Sequence, residues 1–169
     1  MILTPIPADA AAFARFGTLV EKPEVAGERR MFSEWLPAQD GLALQFHLNH
    51  VAPTRLPSPL SQVERHPHSA QVFLPVDVSR YLVVVMPRMA DGAPDLLHAV
   101  CFEVPGSVGV IYRRDVWHAG MMVLDRPGSF AVLMSRGAQD DDVFLPIPPL
   151  TLSARSGHDL RITRNGHTA

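Results

Sequence analysis

Proline and glycine set the strongest constraint on this chain. Sixteen prolines and eleven glycines are spread along its 169 residues. Proline removes a backbone donor and fixes one torsion, and glycine favours turns, so long regular elements are ruled out almost everywhere. What remains is a series of short segments with turn signals every 8–12 residues or so. That spacing predicts a mainly β fold, a sandwich or small barrel.

One helix is predicted near the start, with Asp9 as its cap, Ala10 to Phe16 as its body and Gly17 as its end. The segment Leu42 to Asn49 alternates imperfectly, placing Leu44, Phe46 and Leu48 on one side of a strand. Ala70 to Val76 reads as a strand. Tyr81 to Met86 is apolar on both faces, which predicts a central, covered strand that Pro87 stops. A turn at Asp91 to Asp95 and a short helical turn at Leu96 to Ala99 follow. Strands are then predicted at Val100 to Val104, Val108 to Tyr112, Val116 to His118, Met121 to Leu124 and Ser129 to Ser135. Asp140 to Asp142 reads as a solvated acidic loop. Leu145 to Leu150 is extended, proline-rich and apolar, suited to packing along the barrel or a partner subunit. Residues 153–169 form a polar tail, predicted to be poorly ordered at its end. The chain reads as one domain, 1–169.

Charge narrows the function. The formal net charge is −2, which gives no electrostatic case for nucleic acid or an anionic membrane surface. No apolar run approaches the roughly 20 residues of a membrane span. Met1 to Pro5 carries no basic segment followed by a long apolar one, so the expected location is cytoplasmic. Lys22 is the only lysine. A cation in any site is therefore expected to be a guanidinium, suited to two-pronged carboxylate binding. Cys101 is alone in an apolar run and is predicted to be a core residue.

Candidate chemistry centres on Glu64-Arg65-His66-Pro67-His68. On a strand, Glu64, His66 and His68 share a face, and Gln71 can join them across a small irregularity. His118 follows at the end of a later strand. A His-x-His pair, an acid or amide soon after, and a later histidine form the cupin metal pattern. His66, His68, Gln71 and His118 are the candidate ligands for a divalent ion such as nickel or zinc. Without an ion, the same histidines would be hydrogen-bonded groups in a polar barrel mouth. His66 can serve as a base in either case. Arg65, Arg113 or Arg114 can hold a substrate carboxylate, although alternation turns Arg65 away from His66 unless the strand bulges. Tyr112 and Trp117 are expected in the core or pocket wall. His47, His50, His98, His158 and His167 have no such setting.

Glu64 to Pro75 (ERHPHSAQVFLP) resembles the signature of the ureidoglycolate lyase family. The resemblance continues through Tyr81 to Val85, Pro94 to Leu96 and Gly109 to His118, and upstream through Ala12 to Glu21. It covers roughly residues 1 to 145. It implies a cupin-type β-barrel with a short N-terminal helix, usually a homodimer and associated with a divalent metal. It also implies cleavage of (S)-ureidoglycolate to glyoxylate and urea in allantoin breakdown. This chain departs from the family pattern at Ile111, where the family has Asn, and at Ala119-Gly120, where it has His-Pro. It departs again at Ser135 to Ala138 and at Asp140 to Asp142.

Two functional readings follow. In the first the chain is a lyase, with His66 and His118 as base and acid, Glu64 assisting, and Arg65, Gln71, Tyr112, Arg113 and Trp117 around the substrate. In the second, motivated by Ile111 and Ala119, a divergent cupin binds a small carboxylate or acts on a different one.

Overall fold

The computed structural model describes residues 1–154. In chain order the elements are β1 (Ile2–Leu3), β2 (Ile6–Pro7), α1 (Ala10–Phe13), β3 (Gly17–Val20), β4 (Ala43–Val51), β5 (Ser58–Arg65) and β6 (Gln71–Pro75). There follow β7 (Arg80–Met86), β8 (Val100–Pro105), β9 (Gly109–Tyr112), β10 (Trp117–His118), β11 (Met122–Val123), β12 (Gly128–Arg136) and β13 (Val143–Leu152). They form two sheets. The larger runs β1-β13-β5-β10-β7-β8-β2, with β11 also paired to β7; the smaller runs β3-β9-β6-β12-β4. This is the mainly β, cupin-type barrel that the punctuation and the resemblance predict.

Strand β7 shows why the barrel holds. Tyr81, Val83 and Val85 pack with Phe73, Tyr112, Phe130 and Val132 of the smaller sheet. Their neighbours Leu82, Val84 and Met86 pack on the opposite face with Ile147, Leu150 and Leu152 of β13. Both faces are covered, so the run is apolar throughout. Each such side chain contributes about 1.5–3 kcal/mol relative to exposure. Cys101 joins the second cluster, as expected.

The proline-rich segment is a true strand, β13, paired with β5 and β1. Its ladder shifts register between Pro146 and Leu150, where the prolines supply no N–H. The helix is shorter than predicted. Asp9 caps it, its carboxylate accepting from the Ala12 N–H at 2.8 Å, but it ends at Phe13. Gly17 opens β3 instead of ending the helix. A Cβ there would overlap the Ile111 carbonyl oxygen, so glycine is needed for the close approach of β3 to β9. The short turn near Leu96 is present as a 3-10 turn, Leu96–His98.

Strand β4 puts Leu44, Phe46 and Leu48 on one face, as predicted, and that face is exposed at 59–65%. Of the polar tail, Ser153 is fastened to Leu3, its N–H donating to the Leu3 carbonyl at 2.9 Å. Residues 155–169, with His158 and His167, lie outside the described residues.

Candidate active site

Strand pairing builds the site. Glu64, next to last in β5, is directly opposite His118 of β10. Gln71 opens β6, opposite Tyr112 of β9 on one side and Met134 of β12 on the other. These strand ends meet at one mouth of the barrel. They line a cleft of about 200 Å³ with His47, Asn49, Arg136 and Asp142. That is below the roughly 300–1,000 Å³ of pockets for drug-sized ligands, so the cleft suits a small molecule.

Pro67 ends the strand that carries the signature, since it cannot extend the ladder. His66 therefore reaches the cleft from just beyond β5, not by strand parity. It is 4% exposed. Its Nδ1–H donates to the Asp141 carbonyl at 3.1 Å, and the Asp142 carboxylate stands 2.9 Å from the same nitrogen. Its Nε2 faces the Gln71 side chain at 3.0 Å. A neutral ring takes the Gln71 NH2 there and a protonated ring takes its oxygen; a half-turn of the amide exchanges the two. Burial, and then electrostatic opposition from His118, hold the His66 pKa below its ordinary 6.5. A neutral His66 can accept a proton near neutral pH.

His118 is fixed equally firmly. Its Nδ1–H donates to the Val116 carbonyl at 2.9 Å, and Tyr112 stacks on its ring at 4.2 Å. The tautomer leaves a lone pair on Nε2, which is buried without a hydrogen bond and lies 3.4 Å from Glu64 Oε1. Burial works to raise the Glu64 pKa, but His118 and then His66 outweigh it and hold the carboxyl below its usual value. A lone pair facing a carboxylate calls for something positive between them, a proton or a metal ion. The donor atoms of Glu64, His66 and His118 lie within 4.8 Å of one another. Two imidazoles and a carboxylate, each imidazole anchored by its other nitrogen to a backbone carbonyl, suit a borderline divalent ion. The residues present fit such a group.

Some predicted residues lie elsewhere. His68 is partly exposed and turned out to Asp140, its Nε2 at 2.7 Å from the carboxylate, so it does not join Glu64, His66 and His118. Arg65 faces away from the cleft, as alternation predicts, pairing with Asp115 and lying over Trp117. Trp117 is buried in the second core cluster and donates to the Gly92 carbonyl at 2.9 Å. Arg113 is held against the Ala14 carbonyl and the Trp35 ring, on a different groove. Tyr112 lies beneath His118 as a wall, and burial keeps its phenol protonated. Gln71 is in the site.

The aspartate run is solvated only at Asp140; Asp141 and Asp142 are half-buried and fold back on the site. Asp140 takes His68, and the Asp141 carboxylate accepts from the Gly137 and Ala138 N–H groups. The Asp141 carbonyl takes His66, and Asp142 binds Arg136 at 2.6 Å. The loop thus fixes both a candidate base and a cation. His47, Asn49, Arg136 and Asp142 are the polar cleft residues that sequence reasoning passed over. The signal for Arg136 was its place within Ser135 to Ala138, one of the segments where this chain departs from the family pattern.

The departures from the family pattern also acquire positions. Ile111 packs with Ala70 and Val72 in a separate cluster, not in the cleft. Ala119 packs in the second core cluster, while Gly120 lines the cleft. Ser135 accepts no ligand-facing role; its N–H donates to Ser69 Oγ at 2.8 Å.

The chain is 27% identical to a ureidoglycolate lyase of Escherichia coli (strain SMS-3-5 / SECEC), over 85% of this chain and 93% of that one. It is 26% identical to a ureidoglycolate lyase of Shigella boydii serotype 18 (strain CDC 3083-94 / BS512), with the same coverage. Among solved structures, a dTDP sugar isomerase from Desulfovibrio desulfuricans G20 is similar with a TM-score of 0.48 and 16% identity, over 78% of this chain and 82% of that one. A family model described as ureidoglycolate lyase matches residues 1–149, so the chain belongs to the ureidoglycolate lyase family.

Proposed function

We propose that the protein is a lyase that cleaves (S)-ureidoglycolate to glyoxylate and urea, as a step in allantoin breakdown. The observation that carries this reading is the convergence of Glu64, His66 and His118 in one small cleft of a chain from this family.

The substrate bears a hydroxyl and a urea nitrogen on the same carbon as its carboxylate. One group must take the hydroxyl proton while the carbon–nitrogen bond breaks toward nitrogen, and another must protonate that nitrogen. His66, neutral and fixed by Asp141, is the base. Glu64 and His118 lie beside it and carry the returning proton between Oε1 and Nε2. Gln71 follows the change of charge on His66 by turning its amide. A divalent ion such as nickel or zinc held by Glu64, His66 and His118 would instead supply the acidity itself by polarising the hydroxyl, and the lone pair of His66 would then serve the ion in place of the proton.

The test is incubation of purified protein with racemic ureidoglycolate, with and without added nickel, and assay of glyoxylate. Release that is lost in His66→Ala supports the reading; a folded protein inactive under both conditions sinks it. The latter result favours the second reading, a divergent cupin that binds a small carboxylate. Ile111 and Ala119, its first motivation, pack outside the cleft, and Gly120 in the cleft wall, where the family has Pro, is the departure that still favours it.

The reading includes a homodimer in the cytoplasm. Among the described residues no helix is long and apolar enough to cross a membrane. The exposed face of Leu44, Phe46 and Leu48 supports the dimer. Strand β4 is a sheet edge of nine residues without charge, proline or bulge, and such edges are normally protected or covered.

A further inference from the structure

Among the described residues Arg136 is the only arginine or lysine lining the cleft, which also holds the carboxylates of Glu64 and Asp142. Its charge is already engaged. Nη1 donates to Asp142 Oδ2 at 2.6 Å. The other Asp142 oxygen, Oδ1, is buried 2.9 Å from His66 Nδ1, whose N–H donates to the Asp141 carbonyl at 3.1 Å, and makes no hydrogen bond of its own. Asp142 is thus a half-satisfied carboxylate on the one guanidinium that a ligand in the cleft can reach. Burial opposes its ionisation, and chiefly Arg136 keeps it ionised.

We propose that Arg136 is the anchor for the carboxylate of a small 2-hydroxy acid, and that Asp142 is a resident counter-ion which the ligand displaces. The inference rests on the reading that the cleft takes a small carboxylate. A guanidinium binds carboxylate through two parallel N–H groups, and the incoming ligand offers two oxygens where Asp142 offers one. Affinity is then set by competition between two carboxylates for one fork. A neutral or monodentate ligand gains nothing from the exchange, which makes the pair a specificity device as well as an anchor.

The probe is glycolate, titrated calorimetrically into wild type, Asp142→Asn, Arg136→Gln, Arg136→Lys and the remote control Arg113→Gln, with and without added nickel. Thermal melts establish that each variant is folded, and Asp142→Ser replaces Asp142→Asn if the latter is not. A charged hydrogen bond corresponds to about tenfold or more in affinity. Asp142→Asn therefore binds glycolate about tenfold more tightly, in whichever condition binding is seen. Arg136→Gln loses about tenfold or more, Arg136→Lys falls between, and Arg113→Gln is unchanged. A merely structural Asp142 would give the opposite sign. Weaker binding in Asp142→Asn, undiminished binding in Arg136→Gln, or no binding by wild type in either condition overturns the proposal. The glyoxylate assay is separate. Arg136-dependent glycolate binding without turnover would end the lyase reading and leave the anchor standing.

Discussion

His118 Nε2 and Glu64 Oε1 face each other 3.4 Å apart, the nitrogen buried and without a hydrogen bond. Opposite strands place them so, through the β5–β10 pairing. The contact is stable only with a positive charge between the two atoms. His118→Ala and Glu64→Gln should each lower nickel or zinc affinity by at least about tenfold, measured calorimetrically on metal-stripped protein. Activity of His118→Ala should fall by about 10²–10⁴. Unaltered metal affinity in both variants would remove them as ligands.

The pH dependence of stability follows from His66. Its pKa is lowered in the folded protein, mainly by burial and then by His118. Between that lowered value and 6.5 the unfolded chain binds more protons than the native state, so stability rises with pH across this window. Above 6.5 His66 contributes no further slope. Glu64 and Asp142, both lowered, stabilise at pH above 4.5 and 3.8 and lose that contribution as pH falls. Urea unfolding of metal-free His66→Gln should therefore lose the slope just below pH 6.5 and keep the acid limb. An unchanged slope would show that His66 is not its source.

Asp115 binds both Arg65 and Arg88, and its own backbone lies in the left-handed region at φ 67°. Its N–H also donates to the His66 carbonyl at 2.9 Å. Asp115→Asn keeps a side chain that tolerates this conformation and loses only the charge. Asp115→Ala loses the charge and adds about 1–2 kcal/mol of backbone strain. The melting temperature should fall in both and further in the alanine variant. Equal melting temperatures would remove the strain component.

If the outer face of β4 joins two copies, Phe46→Glu with Leu48→Glu should give a monomer by light scattering. Both side chains are exposed in the single chain, at 65% and 63%. Monomer stability should therefore change by no more than about 0.5 kcal/mol. A dimer that survives the double substitution places the interface elsewhere.

Cys101 is 2% exposed and burial pushes its thiol up to about 12. A thiol reagent at neutral pH should label it only as fast as the protein opens, and at once in denaturant. Rapid labelling of native protein would contradict its burial.

Much of the barrel was legible because strand alternation, apolar runs and turn residues are local. Tyr81 to Met86 had to be covered on both faces, and Pro87 had to end it. Gly17 shows the limit, since its need for a missing side chain arises from Ile111, far away in sequence. The same holds for the site. Glu64, His66, Gln71 and His118 were identifiable as chemistry-bearing residues in a family-like pattern. That His68 turns away to Asp140, and that Arg136 rather than Arg65 or Arg113 lines the cleft, were not.

By itself, the sequence determined a mainly β barrel and a cluster of histidines near Glu64, because these depend on residues adjacent in the chain. The tertiary structure alone decided which of them meet. Pro67 breaks the strand parity after Glu64, and the pairing of β5 with β10 brings in His118. The folding back of Asp140 to Asp142 adds a counter-ion and a carbonyl that no local pattern announces. Convergence across fifty or more residues is a property of strand register and loop path, and these are fixed only when the two sheets close on one core.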